Sequence, residues 1–128
     1  MQQKDPLNKA LVIDTDPTRR RFLEEILHEQ GYHVKETEGI HKAVPLFKAE
    51  HFSLVVSELE SLESEEIQIL DLVRRLGSEA KVVLITHHIG PEVYIKTRAW
   101  GAFDCISNSL GKSALMEVIA ATRDSTSG

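Results

Sequence analysis

Short apolar runs alternate along the chain with longer segments in which apolar residues recur at helical spacing. Residues 10–14, 52–57 and 81–86 contain consecutive apolar positions, as strands covered on both faces do. Residues 32–37 alternate apolar and polar positions, which is typical of an edge strand. A fifth strand is expected at residues 102–107. The pattern therefore predicts five strands, each followed by a helical segment.

The helical segments carry start and stop signals. Asp16 followed by Pro17 predicts an N-cap residue and proline at the first helical position, and Gly31 is placed to end that helix in the left-handed region. The second segment, 39–50, contains Pro45, so we expect a kinked or short helix. The remaining helices are expected from Ser64, a cap candidate, to Gly77, from Gly90 to Gly101 and from Leu110 to Arg123.

Five alternations of strand and helix predict an α/β fold, a doubly wound, mostly parallel sheet with helices on both faces. In such sheets ligands bind beyond the carboxyl ends of the strands, where the strand order reverses. The candidate functional residues are therefore those at four strand ends: Asp14, Thr15 and Asp16; Ser57 and Glu58; Thr86, His87 and His88; Ser107 and Asn108.

Composition narrows the classes of function. The chain has 128 residues, 41% hydrophobic and 27% charged, which fits one globular domain. Its net charge of −5 and the lack of a basic run argue against a direct nucleic-acid partner. Apolar runs are too short for a membrane span, and the polar start is not a signal peptide. A single cysteine, Cys105, cannot form an internal disulfide, so the cytoplasm is the expected compartment.

The chain shows no internal repeat and no second domain. We expect one domain over residues 9–123, preceded by a tail at 1–8. Residues 124–128 are polar and are expected to be a frayed end or the start of a linker.

Four segments of the chain contain the predicted strands and the strand-end residues. They are "ALVIDTDPTRRRFLEEILHEQGYHV", "FSLVVSELE", "KVVLITHH" and "AWGAFDCISNS". In their order and spacing these segments resemble the receiver domains of two-component response regulators. The resemblance implies a flavodoxin-like (βα)5 fold with strand order 2-1-3-4-5, and a role in phosphorelay signalling.

The family's chemistry implies roles for the strand-end acids. A carboxylate attacks a phosphoryl group whose charge is neutralised by magnesium held on further carboxylates. Asp14 matches the first acid of the family's pair, but Thr15 replaces the second, and Asp16 is an uncertain substitute one position later. Glu58 stands where the family has its phosphoacceptor aspartate.

The remaining family positions are also altered. Thr86 keeps the switch hydroxyl, whereas Asn108 replaces the lysine and Ser109 the proline after it. Cys105 stands at the position of the aromatic switch residue. Three of the four central groups have changed, which points away from ordinary phosphotransfer.

Glu58 has several interpretations: a working nucleophile, a fixed mimic of a phosphorylated side chain, or a solvated strand end. We favour a degenerate acceptor, because the metal and lysine positions changed with it. No cofactor is expected, although a weak magnesium site formed by Asp14, Asp16 and Glu58 is an alternative. The histidines lack metal-ligand spacing, and His87 and His88 are interpreted as exposed loop residues.

The sequence therefore predicts a receiver-like signalling domain, not an enzyme, that acts independently of phosphorylation on an output module or partner, with transcription as the expected output. The alternative is a divergent receiver that still takes up phosphate with magnesium. A flavodoxin-like ligand binder is a weaker alternative, since no Gly-rich loop follows the first strand.

Trp100 bears on the choice of partner. It precedes Gly101, where the family usually has alanine, and is either a core residue or part of a contact surface. The family's contact face, formed by the fourth helix, fifth strand and fifth helix, is expected to bind a protein partner, the chain's own output domain or a second copy.

Overall fold

The computed structural model describes residues 8–87 and 90–124. Most of the two predicted tails, and His88, lie outside these residues. None of the described helices is both long and apolar enough to cross a membrane.

The strands pair in parallel throughout. Within the described residues they form one five-stranded sheet in the order β2-β1-β3-β4-β5, which confirms the predicted fold class and strand order. Their bounds are Lys9–Ile13 (β1), His33–Thr37 (β2), Leu54–Glu58 (β3), Lys81–Thr86 (β4) and Asp104–Ser107 (β5).

Helices cover both faces of the sheet. The first and last helices pack on one face and the other three on the opposite face, so every crossover places a helix over the sheet. The bounds are Pro17–Glu29 (α1), Ile40–Ala49 (α2), Gln68–Arg75 (α3), Pro91–Ala99 (α4) and Lys112–Asp124 (α5).

The core lies on both sides of the central strands. In β1, Leu11 and Ile13 pack under α2 and α3, whereas Ala10 and Val12 pack under α1 and α5. All four are at most 1% exposed. Consecutive apolar residues in the sequence thus correspond to a strand buried on both faces.

Two predicted helix starts are wrong by a few residues. Ser64 does not cap α3, because its hydroxyl hydrogen-bonds Ser61 and a 3₁₀ turn, Glu65–Ile67, precedes the helix. The last helix begins at Lys112, since the chain first turns through a bond from the Leu110 N–H to the Ser107 carbonyl. The segment containing Pro45 is a short helix of ten residues, one of the two predicted forms.

The start of α1 matters for the site. The Asp16 carboxylate accepts hydrogen bonds from the backbone N–H groups of Thr18 (2.9 Å) and Arg19 (3.4 Å), which confirms the predicted N-cap. Pro17 occupies the first helical position, and Gly31 ends the helix at φ +92°. Because the cap follows β1 so closely, the first turn of α1 lies directly beside the carboxyl ends of the strands.

Candidate functional site

The predicted strand ends meet at one edge of the sheet. Ser57 pairs with Ile13 of β1, and Glu58 pairs with Ile85 of β4. On the other side of β4, Thr86 pairs with Ser107. The register therefore brings the residues selected from the sequence to the same edge, where parallel α/β sheets place their sites.

Asp14 is the most buried group of the site. Its side chain is 0% exposed and is held from two directions. The Asp16 N–H donates to Oδ1 at 2.8 Å, and the Arg19 guanidinium donates from Nε to Oδ2 (2.5 Å) and from Nη2 to Oδ1 (2.9 Å). A carboxylate buried this completely needs a charged, hydrogen-bonded partner, and the two-pronged guanidinium supplies it.

Arg19 also faces the other two acids of the site. Nη2 lies 3.9 Å from Glu58 Oε2, and Nη1 lies 3.8 Å from Asp16 Oδ2. The hydrogen bond to Asp14 raises the pKa of Arg19 above its already high ordinary value, against the opposing effect of burial. The guanidinium therefore stays protonated and serves as the cation of a three-carboxylate site.

Thr15 and Glu58 form a second contact across the site. Glu58 Oε1 accepts a hydrogen bond from the Thr15 N–H, and Oε2 accepts one from the Thr15 hydroxyl at 3.2 Å. The Glu58 side chain is 17% exposed, so it is not a solvated strand end. Thr15, which the resemblance assigns to the position of the family's second acid, thus donates to Glu58, which it assigns to the phosphoacceptor position. The two changes are chemically complementary.

The carboxylate oxygens of this site, as they are placed, are not arranged as ligands of a divalent cation. Magnesium requires oxygen ligands at about 2.0–2.1 Å in near-octahedral geometry. Both carboxylate oxygens of Asp14 accept from Arg19, both of Glu58 accept from Thr15, and Asp16 caps α1. Among residues 8–87 and 90–124, no cluster of three or more His, Cys, Asp or Glu side chains is arranged to hold a metal.

Asn108 and Thr86 lie on the β5 side of the site. Thr86 is buried, and its carbonyl accepts the Asn108 N–H at 2.9 Å. The Asn108 side-chain amide lies 2.6 Å from His87 Nδ1, to which it donates. The amide that replaces the family's lysine is therefore bonded to His87, an exposed residue as predicted.

Cys105 lies beneath α4. It is 3% exposed, and burial raises the pKa of its thiol, so it is a small core residue and not a reactive one. Beside it, the buried Thr97 donates its hydroxyl to the Val93 carbonyl at 2.7 Å.

Trp100 ends α4 and is 40% exposed, so it is not a core residue. It lines two shallow grooves that it shares with Leu70 and Arg74 of α3. Trp100 thus lies on the α3 side of α4. The helical turn of 100° per residue places Tyr94, which is 41% exposed, on the opposite flank.

Sequence reasoning found the strand-end residues but missed Arg19. The available signal was its position, one turn into α1 and three residues after the N-cap Asp16. That spacing places its side chain over the strand end that carries Asp14.

Comparison with known proteins agrees with this architecture. Residues 10–120 match the model of the response regulator receiver domain. The chain is 30% identical over 98 residues to the two-component response regulator ARR12 of Arabidopsis thaliana, covering 75% of this chain and 16% of that protein. It is 24% identical over 109 residues to the transcriptional regulatory protein GlrR of Escherichia coli K12, covering 85% of this chain and 24% of that protein.

A solved structure shows the same fold. The beryllofluoride-activated NtrC4 receiver domain, a dimer, superposes with a TM-score of 0.80 at 20% identity, covering 91% of this chain and 98% of that one. The chain spans a quarter or less of the two curated relatives. Since the family model matches most of its length and the sheet has the expected order, the chain belongs to the response regulator receiver domain family.

Proposed function

We propose that this receiver domain signals through protein contacts without taking up a phosphoryl group and without catalysis of its own. The observation that carries the proposal is the guanidinium of Arg19, bonded through two nitrogens to the buried Asp14. Phosphotransfer requires a metal cation beside the acidic residues, and in this chain the Arg19 guanidinium takes its place.

The other groups support the same proposal. Phosphoryl transfer to a carboxylate needs a nucleophile free to approach in line, a metal ion, and a cation for the product. Glu58 has both oxygens engaged by Thr15, and Asn108 brings an amide bonded to His87 in place of an ammonium. The carboxylates of Asp14 and Glu58 are therefore held in one hydrogen-bonded arrangement by donors of this chain.

The test is incubation with acetyl phosphate and magnesium followed by intact-mass analysis. We expect no phosphoryl adduct, because the nucleophile, the metal position and the lysine position have all changed. A phosphorylatable receiver treated in parallel controls for the donor. A stoichiometric adduct on this domain that depends on magnesium would contradict the proposal and favour a divergent, still phosphorylated receiver.

We further propose that the domain controls an output module or partner, with transcription as the output, through the surface around α4, β5 and α5. The similarity to GlrR, a transcriptional regulatory protein, supports that output. In α4, Tyr94 and Ile95 are 41% and 63% exposed, and Thr97 alone among its residues is buried. Trp100, which follows the end of α4, lies on the α3 side and outside this surface. Exposed aromatic residues dominate the binding energy of interfaces.

Self-association tests this surface. If a second copy binds there, Tyr94→Ala, on the flank of α4 away from α3, should weaken the dimer at least tenfold in sedimentation velocity, as truncation of an interfacial aromatic residue does. Leu76→Ala is the matched control, since Leu76 is 48% exposed but ends α3 beside the end of α2, away from this surface. An equal effect of both substitutions would exclude Tyr94 from the contact, and a monomer at millimolar concentration would exclude the homodimer.

A further inference from the structure

A cavity of about 270 Å³ opens between the first turns of α1 and α5, above the ends of β4 and β5. Its floor and walls are aliphatic, and a phenylalanine and a leucine, each 39% exposed, stand at its mouth. These six residues are Leu23, Ile85, Ile106, Leu115, Phe22 and Leu110. An apolar cavity beside the carboxyl ends of the strands is where α/β proteins place small-molecule sites.

The polar side of the cavity adjoins the acidic cluster. Asp16 and Arg19 are its charged lining residues, beside the uncharged Thr18, Ser107 and Asn108, and the strong hydrogen bonds of Arg19 go to Asp14, which does not line it. When the neighbouring Asp14 and Glu58 are counted with Asp16, three carboxylates against the Arg19 guanidinium leave a net charge of −2. Asp16 Oδ2 is 3.8 Å from Arg19, beyond a hydrogen bond, and the Asp16 side chain is 46% exposed. The cavity thus presents a carboxylate oxygen to a ligand.

We propose that this cavity binds a small organic amine, with its ammonium group on Asp16 and its apolar body against the aliphatic floor. The negative charge selects a cation and repels an anion. The volume lies just below the roughly 300 Å³ at which sites for drug-sized ligands begin, so the body is no larger than one aromatic ring with a short chain.

This proposal does not depend on the proposed function. Asp16 lines the cavity from the N-cap of α1, so an amine could bind there whether or not the domain is phosphorylated. An amine bound there would contact α1, β5 and the loop that leads into α5, the segments that join the site to the β5 edge of the sheet.

Three probes of the same shape test the proposal: phenethylamine, 2-phenylethanol and phenylacetate. Each is titrated into the labelled domain at neutral pH while methyl and amide shifts are followed by NMR. Phenethylamine should bind with a Kd on the order of 1 mM, as a fragment of this size can. The shifts should centre on the methyl groups of Leu23, Ile85, Ile106 and Leu115. The alcohol should bind about fivefold more weakly, the most that a half-exposed ion pair supplies, and the acid more weakly still.

The variant Asp16→Asn removes the negative charge of the cavity wall and keeps the helix cap. Asparagine caps a helix as well as aspartate does, so the variant should keep its stability in urea denaturation. The preference for the amine over the alcohol should disappear in it. Glu25→Gln, which removes an exposed charge from the same helix, should leave the preference unchanged. Equal binding of amine and alcohol to the unmodified domain, a preference that survives Asp16→Asn, or no shift at the cavity methyl groups at 10-fold the expected Kd would each overturn the proposal.

Discussion

Replacing Arg19 by methionine is expected to lower the free energy of unfolding by about 3 kcal/mol, the lower end of the cost of leaving one member of a buried ion pair without its partner. Asp14 is 0% exposed and the Arg19 side chain 22%, so water can reach the vacated position only in part. Methionine keeps most of the apolar stem of the side chain, so the decrease in the free energy of unfolding comes mainly from removal of the guanidinium charge. Urea denaturation at neutral pH, with an unchanged m value, measures it.

Two further variants separate charge from packing. Arg21→Met removes an exposed arginine from the same helix and should change stability by less than about 0.5 kcal/mol. Adding Asp14→Asn to Arg19→Met should recover at least half of the loss, because no buried charge is then left and asparagine can still accept the Asp16 N–H. A double variant as unstable as Arg19→Met alone would assign the loss to packing of the arginine stem.

Strands were more predictable than helix starts in this chain. Consecutive apolar residues, as in 10–13, can be satisfied only by a strand with helices on both faces, so the sheet follows from the pattern. The start of α3 depends on whether Ser64 binds the helix or the loop, and it binds Ser61. Such local competition between hydrogen bonds leaves no periodic signal.

The buried face of α4 was even harder to predict from the sequence than the start of α3. Its buried residue is the polar Thr97, whose hydroxyl is satisfied within the helix, while Ile95 is 63% exposed. A helix with this inverted pattern does not reveal its inner face, so the sequence could not place Trp100 on the α3 side.

In the site, the positions were predictable and the pairings were not. The strand ends gave Asp14, Thr15 and Glu58, because parallel strands end at one edge. An arginine in the first turn of a helix is ordinarily solvated, so the position of Arg19 three residues after the N-cap becomes a signal only once Asp14 is known to be buried. The buried carboxylate of Asp14, a tertiary feature, selects Arg19.

Restoring the family's residues should not restore phosphorylation while Arg19 is present. In the triple variant Thr15→Asp, Glu58→Asp, Asn108→Lys, the guanidinium still occupies both oxygens of Asp14, and magnesium must displace it. Adding Arg19→Met leaves four carboxylates, at positions 14, 15, 16 and 58, with the introduced lysine as their only new cation, a repulsion that magnesium relieves. At a magnesium concentration tenfold above its Kd, binding stabilises the quadruple variant by about 1.4 kcal/mol, which raises its Tm by roughly 4–8 °C.

Thermal melts with and without magnesium and intact mass after treatment with acetyl phosphate compare the two variants. The quadruple variant should show both the magnesium-dependent rise in Tm and an adduct at position 58, and the triple variant neither. Magnesium binding without an adduct would place the remaining defect in the loop from Glu60 to Glu66 and not at the metal position. Equal labelling of both variants would show that Arg19 is no barrier. The proposed absence of phosphotransfer would then depend on Thr15, Glu58 and Asn108 alone.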